Sequence, residues 1–161
     1  MEKRIFGRTG ELSMLDNQIE AVSHGGKSFI WVDGVPGSGK STLLSEAVRR
    51  CAHWGVETRV ARCLELGGDP YGPINTMIDL AIPQEMAHDR WYVSVRFEQA
   101  LRSLTAADRP VGIFIDDVQW ADYGTAAFLS HCHTSTAASL FVCVFSRPLD
   151  QSGPCPEVED L

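Results

Sequence analysis

A short glycine-rich stretch has the residue types and the spacing that phosphate binding requires. In "GVPGSGKST", Gly34 is followed by four residues and then by Gly39, Lys40 and Ser41. Glycines let the backbone turn tightly and bring its N–H groups close to phosphate oxygens. Lys40 can reach the β- and γ-phosphates of a nucleotide, and the hydroxyl of Ser41 can ligate Mg²⁺. We expect the whole stretch to bind the nucleotide: Gly34, Val35, Pro36, Gly37, Ser38, Gly39, Lys40, Ser41 and Thr42.

Two adjacent acids at the end of an apolar run form a second candidate site. In "VGIFIDDVQWAD", Asp116 and Asp117 follow directly on the apolar residues. We expect Asp116 to hold Mg²⁺, directly or through water, and Asp117 to orient or deprotonate a water that attacks the γ-phosphate. Aspartate is shorter than the glutamate usual at this position in fast ATPases, so slow hydrolysis is predicted. The alternative is that both acids are solvated loop residues that cap a helix.

The third candidate is an arginine at the end of another apolar run. In "LFVCVFSR", Arg147 stands where a predicted strand ends, and from there it can reach the γ-phosphate and report its presence. The alternative is a solvated arginine at a strand terminus. Lys40, Asp117 and Arg147 are thus the candidate catalytic residues, and Ser41 and Asp116 are the candidate metal ligands.

Alternating strand and helix patterns supply the elements that must position these residues. Helices are predicted for "ELSMLDNQIEAV", for "KSTLLSEAVRRCAHW" and around residues 74–81, 91–104 and 124–132. Strands are predicted for "SFIWVD", "VETRVARC", "VGIFIDD" and "LFVCVFSR". This order indicates one α/β domain over residues 1–161, with a parallel sheet flanked by helices. The final "EVEDL" can form the first half of a fifth strand.

Composition limits the partners of the chain. Its formal net charge of −7 argues against binding nucleic acid or an anionic membrane through bulk electrostatics. No apolar run approaches the roughly 20 residues of a membrane helix, and no secretory signal is visible. Five cysteines without a regular framework fit a reducing cytosol, so we expect a cytoplasmic location.

Five segments from Phe6 to Pro148 carry a family resemblance: "IFGRTGELSML", "GVPGSGKST", "DPYGPI", "FIDDVQWAD" and "FSRP". They resemble the nucleotide-binding domain of STAND-class, AAA+-related ATPases, and more narrowly the N-terminal ATPase domain of large LuxR-type regulators of bacteria. The resemblance implies a P-loop NTPase of the additional-strand branch, with ATP and Mg²⁺ as cofactors. It also implies that the opening segment lies by the adenine, with Phe6, Gly7 and Arg8 near the base.

The same resemblance implies domains that this stretch does not contain. Members of that class continue into a helical lid, a winged-helix segment, a sensor region and a C-terminal helix-turn-helix. We therefore expect a chain truncated before the lid, whose regulatory and DNA-binding parts are missing or separate. The chain itself is expected to make no direct contact with nucleic acid.

Three functions are open to a domain of this kind. The first is an Mg²⁺–ATP-binding switch with slow hydrolysis, whose nucleotide state is read by the other domains of a signal-responsive transcriptional regulator. The second is a nucleotide-binding module without hydrolysis. The third is a small-molecule kinase, which would also need an acceptor pocket and arginines in a mobile lid. The extra strand "LFVCVFSR" and the paired acids favour the ATPase branch over the kinase.

Overall fold

Four strands and five α-helices make up the described part of the chain. The computed structural model describes residues 9–65, 70–78, 80–106 and 109–148. The helices are α1 (Thr9–Ser23), α2 (Lys40–His53), α3 (Gly72–Asn75), α4 (Arg90–Leu104) and α5 (Tyr123–Thr134). The strands are β1 (Lys27–Asp33), β2 (Glu57–Arg62), β3 (Val111–Asp116) and β4 (Leu140–Ser146). Short 3₁₀ turns form at Gln84–Met86 and Val118–Trp120.

The four strands form one parallel sheet in the order β1-β4-β3-β2. The last described strand, β4, therefore lies between the strand before the glycine-rich loop and the strand that ends in the acids. This inserted strand confirms the predicted additional-strand arrangement of a P-loop NTPase. The register pairs Asp33 with Ser146 and Arg62 with Asp116, so the carboxyl ends of all four strands meet at one edge of the sheet.

Helices cover both faces of the sheet, as the continuous apolar runs predict. On one face, α1 and α2 pack Ile19 and Ala47 against Phe114 and Phe145. On the other face, α3 to α5 build a core around Phe97, which contacts Phe128 edge-to-face at 5.2 Å between ring centroids. Every residue of β4 is buried. The inner strands, β4 and β3, are thus packed on both faces. This packing restricts the movement of the residues at their carboxyl ends.

One predicted element is wrong and one lies outside the described residues. The helix expected around residues 74–81 is only the single turn of α3, and Thr76 and Met77 already form turns. The backbone of Ala81 adopts a left-handed φ of 45°, and Pro83 disfavours helical geometry in the residue before it. The predicted fifth strand, residues 157–161, falls among residues that the structure does not describe.

Within the described ranges, none of the helices combines the length and the apolar composition that crossing a bilayer requires.

Candidate nucleotide-binding site

The glycine-rich stretch forms the loop between β1 and α2. Gly37 and Gly39 have φ values of 81° and 87°, in the left-handed region that glycine adopts without strain. The N–H of Gly34 donates to the carbonyl of Ser146 at 3.2 Å, which ties the start of the loop to the end of β4. A Cβ on Gly34 would lie 2.7 Å from Ser38 Oγ. The backbone path therefore favours glycine at positions 37 and 39, and a side chain at position 34 would require Ser38 Oγ to move.

Lys40 is the first residue of α2, so its charge and the positive end of the helix dipole point to the same place. Its Nζ donates to the carbonyl oxygens of Gly34 and, at 3.3 Å, of Val35. The lysine thus lies back along its own loop. A phosphate group would offer Nζ a charged acceptor in place of two neutral carbonyls.

A cavity of about 240 Å³ lies between the loop and the carboxyl ends of the strands. It brings together nine residues predicted from the sequence: Pro36, Gly37, Gly39, Lys40, Ser41, Thr42, Asp116, Asp117 and Arg147. Gly34, Val35 and Ser38 belong to the loop but do not line this cavity. Phe6, Gly7 and Arg8, the predicted adenine contacts, lie outside the described residues.

Asp117 is a buried residue held by named partners and is not a solvated helix cap. Its exposed fraction is 9%, and it makes no side-chain capping hydrogen bond to the 3₁₀ turn that follows. Arg62 donates to Asp117 Oδ2 from Nε at 2.9 Å and from Nη2 at 2.6 Å. Gln119 donates from Nε2 to Oδ1 at 3.0 Å. The Asp117 backbone has φ 54°, unusual for a residue other than glycine, and its N–H donates to Asp116 Oδ1 at 3.0 Å.

These contacts decide the ionisation of Asp117. Burial by itself raises the pKa of the carboxyl group. The hydrogen bonds from Gln119 and Arg62, together with the charges of Arg62 and Arg147, outweigh burial and bring the pKa below its ordinary value. Asp117 is therefore a carboxylate at neutral pH. A carboxylate with a lowered pKa is a weak proton acceptor, so the environment favours orienting a water over deprotonating it.

Arg62 is a site residue that sequence reasoning missed. It is the last residue of β2, it lines the same cavity, and its hydrogen bond to Asp117 raises the arginine pKa. The signal in the sequence was a basic residue at the carboxyl end of a predicted strand, the same signal that identified Arg147. The sequence did not reveal the strand order, and only the pairing of β2 with β3 brings Arg62 beside Asp117.

Arg147 follows β4 at the rim of the cavity, and its side chain is exposed. Its backbone N–H donates to Gln119 Oε1 at 3.0 Å. Gln119 is the second residue that sequence reasoning missed, although it lies within the "DDVQWAD" motif. The structure brings Lys40, Asp117 and Arg147 to one cavity, as predicted; their catalytic roles stay predictions.

A larger cavity, about 650 Å³, lies between α4 and α5 and includes Tyr71, Arg90, Tyr123 and His131 in its lining. None of the loop residues, Arg62, Asp116, Asp117 or Arg147 contributes to it. Because phosphate binding and water activation need those groups, the smaller cavity is the candidate nucleotide site.

The residues present fit a magnesium ion as well as a nucleotide. Mg²⁺ prefers oxygen ligands and is commonly held by one or two protein oxygens together with substrate phosphates. Ser41, at the start of α2, and Asp116, at the end of β3, line the same cavity and offer a hydroxyl and a carboxylate oxygen. They are the residues that would hold the ion.

The sequence matches the AAA ATPase domain family over residues 4–145, and the chain belongs to that family. The family is one of ATP-binding ATPase domains, typically with Mg²⁺. No curated protein matches the chain at a significant level.

Solved structures share the fold at low sequence identity. The chain is similar to the Aeropyrum pernix ORC2 protein in its ADPNP–ADP complexes, with a TM-score of 0.58 and 14% identity over 91% of this chain and 42% of that one. It is also similar to a chain of the E. coli MS115-1 HORMA:CdnC:Trip13 complex, with a TM-score of 0.57 and 12% identity over 97% of this chain and 60% of that one. The chain thus spans less than two thirds of either structure, and at these identities the likeness concerns the fold alone.

Proposed function

We propose that the chain is the nucleotide switch of a larger regulator: it binds Mg²⁺–ATP and hydrolyses it slowly. The observation that carries the proposal is the convergence on one cavity of a phosphate loop, two adjacent acids and a rim arginine. The family supports ATP as the nucleotide. The resemblance of "DDVQWAD" and "FSRP" to LuxR-type regulators supports the regulatory setting.

The proposed reaction is in-line attack of water on the γ-phosphate. A bond forms between the water oxygen and phosphorus, the bond from phosphorus to the β–γ bridging oxygen breaks, and ADP leaves. The proton of the water ends on the inorganic phosphate or in solvent. Lys40 and the N–H groups of the first turn of α2 bind the phosphates, Arg147 contacts the γ-phosphate, and Asp117 orients the water. Bound Mg²⁺ would supply charge neutralisation between the phosphates.

Slow turnover follows from how Asp117 is held. Both oxygens of its carboxylate already accept hydrogen bonds, Oδ1 from Gln119 and Oδ2 from Arg62. An attacking water must share or replace one of these partners. A nucleotide that persists between turnovers suits a switch, because its presence can bias the conformation that attached domains read. The net charge of −7 favours a protein surface over nucleic acid as what this chain itself contacts.

The second candidate is a nucleotide-binding module without hydrolysis. The pairing of Arg62 with Asp117 favours it specifically, since a carboxylate that never leaves the arginine would orient no water. The small-molecule kinase ranks below both, because the inserted strand β4 is the arrangement of the ATPase branch.

Titration calorimetry with Mg²⁺–ATP and Mg²⁺–ADP, followed by a phosphate-release assay, tests the proposal. Lys40→Ala should lose nucleotide binding, since it removes the only side-chain cation at the start of α2. Lys27→Ala is the matched control: that lysine, at the opposite end of β1, donates to the carbonyls of His133 and Ser135 far from the loop.

The outcomes separate the candidates. If nucleotide binding depends on Lys40, and wild type releases phosphate above the Lys40→Ala background, the switch with hydrolysis is supported. Binding without release supports the inert module, and phosphate appearing on a metabolite instead of in water supports the kinase. Equal nucleotide affinity of Lys40→Ala and wild type would show that the loop is not the phosphate site.

A further inference from the structure

We propose that Gln119 is a positioning residue that couples Arg147, at the end of β4, to the water-orienting carboxylate of Asp117. The inference rests on the proposed function, because it concerns how the hydrolytic site is held together. Gln119 lies in the 3₁₀ turn after β3 and is 6% exposed. Its side chain therefore faces the protein, where each polar atom needs a partner.

Both ends of the Gln119 amide are engaged, and their partners are the residues that directly follow two different strands, β3 and β4. Nε2 donates to Asp117 Oδ1 at 3.0 Å, and Oε1 accepts from the backbone N–H of Arg147 at 3.0 Å. The orientation of the amide follows from its partners: a carboxylate needs a donor and an N–H needs an acceptor. A flipped amide would place oxygen against oxygen and N–H against N–H. Glutamine joins a donor and an acceptor at one end of a side chain of this length, which glutamate and methionine do not.

The bridge continues into the phosphate loop. The residue before Arg147, Ser146, accepts from the N–H of Gly34 at the start of the loop. One hydrogen-bonded path thus runs from the loop through the end of β4 and Gln119 to Asp117. A shift of the Arg147 backbone when its side chain engages a γ-phosphate would be passed to the carboxylate through a buried amide.

Arg62 and Gln119 bind different oxygens of the Asp117 carboxylate. Arg62 binds Oδ2 from a side chain that is 66% exposed, so it can exchange with water. Gln119 binds Oδ1 from within the protein. Gln119 accordingly fixes the oxygen about which Asp117 must turn to present Oδ2 to a water.

Two substitutions separate this role from simple anchoring of β4. Gln119→Met keeps the length of the side chain and removes both hydrogen bonds. Gln119→Glu keeps an acceptor for the Arg147 N–H but faces Asp117 with a second carboxylate. If Gln119 only anchored β4, Gln119→Glu would retain near-wild-type kcat. The proposal predicts that both variants lower kcat by about 10- to 100-fold, the size expected when a reacting group is mispositioned.

The readout that a merely structural role would not produce is a split between kcat and KM. The KM for Mg²⁺–ATP and the calorimetric ATP affinity should stay within about threefold of wild type, since neither hydrogen bond of Gln119 goes to a loop residue. Gln99→Leu is the matched control, because this exposed glutamine of α4 accepts from Arg96 on its own helix and does not line the nucleotide cavity. It should leave both constants unchanged.

A double-mutant cycle with Arg147→Ala tests the coupling directly. If Gln119 transmits the state of Arg147, the combined kcat loss in Gln119→Met/Arg147→Ala will be well below the product of the single losses. Multiplicative losses would show that the two residues act independently and would overturn the proposal.

The remaining outcomes also test the proposed role of Gln119. Wild-type kcat in Gln119→Met overturns the inference and leaves the proposed function standing. Loss of ATP affinity in both Gln119 variants would show a structural role and overturn it as well. If the wild-type chain binds Mg²⁺–ATP but releases no phosphate above Lys40→Ala, the hydrolytic function fails first and the inference falls with it.

Discussion

Replacing Arg62 with alanine should raise the rate of ATP hydrolysis while leaving the fold intact. In the structure the guanidinium donates twice to Asp117 Oδ2, the oxygen that would orient the water in the proposed reaction. Removing the arginine takes away part of what lowers the Asp117 pKa, while the Gln119 hydrogen bond to Oδ1 and the charge of Arg147 remain. Oδ2 is then open to water. Because Arg62 also lines the phosphate cavity, we expect a rise in KM for ATP alongside the rise in kcat.

The size of the effect follows from the exposure of the pair. The Arg62 side chain is 66% exposed and that of Asp117 is 12% exposed, so solvent screens much of their attraction. Because the arginine is solvated, we expect the magnitude of a surface pair, about 0.2–1 kcal/mol. If hydrolysis requires the pair to open, its absence lowers the barrier by at most that amount, which corresponds to a kcat increase of up to about fivefold. The free energy of unfolding should fall by no more than about 1 kcal/mol.

Arg59→Ala is the matched control for this prediction. Arg59 lies on the same strand and pairs with Glu57 at 2.6 Å, with side-chain exposures of 36% and 43%. Both variants should show the same small loss in urea denaturation, and only Arg62→Ala should change single-turnover phosphate release. A kcat for Arg62→Ala that falls below wild type would refute the reasoning, because it would mean that Arg62 stabilises the transition state. A kcat equal to that of Arg59→Ala would mean that the pairing with Asp117 does not limit hydrolysis.

Three further predictions concern the stability and reactivity of the fold. Gly124→Ala should lower the free energy of unfolding by about 1–3 kcal/mol in urea denaturation, since its Cβ would lie 2.6 Å from Tyr71 Cε1; an unchanged midpoint would mean that the ring moves aside. Glu98 has a lowered pKa, chiefly through the hydrogen bond from Arg102 on the same helix and despite burial. The stability that this pairing contributes is therefore present above the unfolded-state pKa of about 4.3 and is lost as pH falls through the folded-state pKa. Glu98→Gln should accordingly be less stable than wild type by under about 1 kcal/mol at neutral pH and equal to it in acid, and a constant difference across the pH range would contradict the assignment. Burial raises the pKa of Cys51 and of Cys63 to about 12, so peptide-resolved alkylation should find both thiols unreactive at pH 7.5 until urea unfolds the chain; rapid native-state labelling would show that the core opens locally.

The largest sequence-level error concerns the segment after α3. Apolar residues from Ile74 onward recur at a spacing that favours a helix. The chain instead leaves the helix after Asn75 and passes through a left-handed Ala81 towards Pro83. Periodicity describes which face is apolar, whereas the proline restricts the backbone of the residue before it. Ile74 and Leu80 are buried even though the helix is short, because both pack in the core around Phe97.

The sequence by itself determined the parts of this protein that depend on neighbours along the chain. The glycines of the loop, the lysine at the start of α2, the acids at the end of β3 and the alternation of strands and helices are all local patterns. Each has its own physical reason: left-handed φ, a helix dipole, a strand end and a face that must be covered. These patterns were enough to predict the parallel sheet and nine of the residues that line the cavity.

Only the tertiary structure decided the long-range contacts around Asp117. Arg62 is 55 residues away from it in the chain, and the N–H of Arg147 is 28 residues from the glutamine that bridges it to the acid. Neither contact has a local signature, because both depend on β3 lying between β2 and β4 in the sheet. Strand order depends on how all the apolar faces of the strands and helices pack together. In this packing, both carboxylate oxygens of Asp117 accept hydrogen bonds.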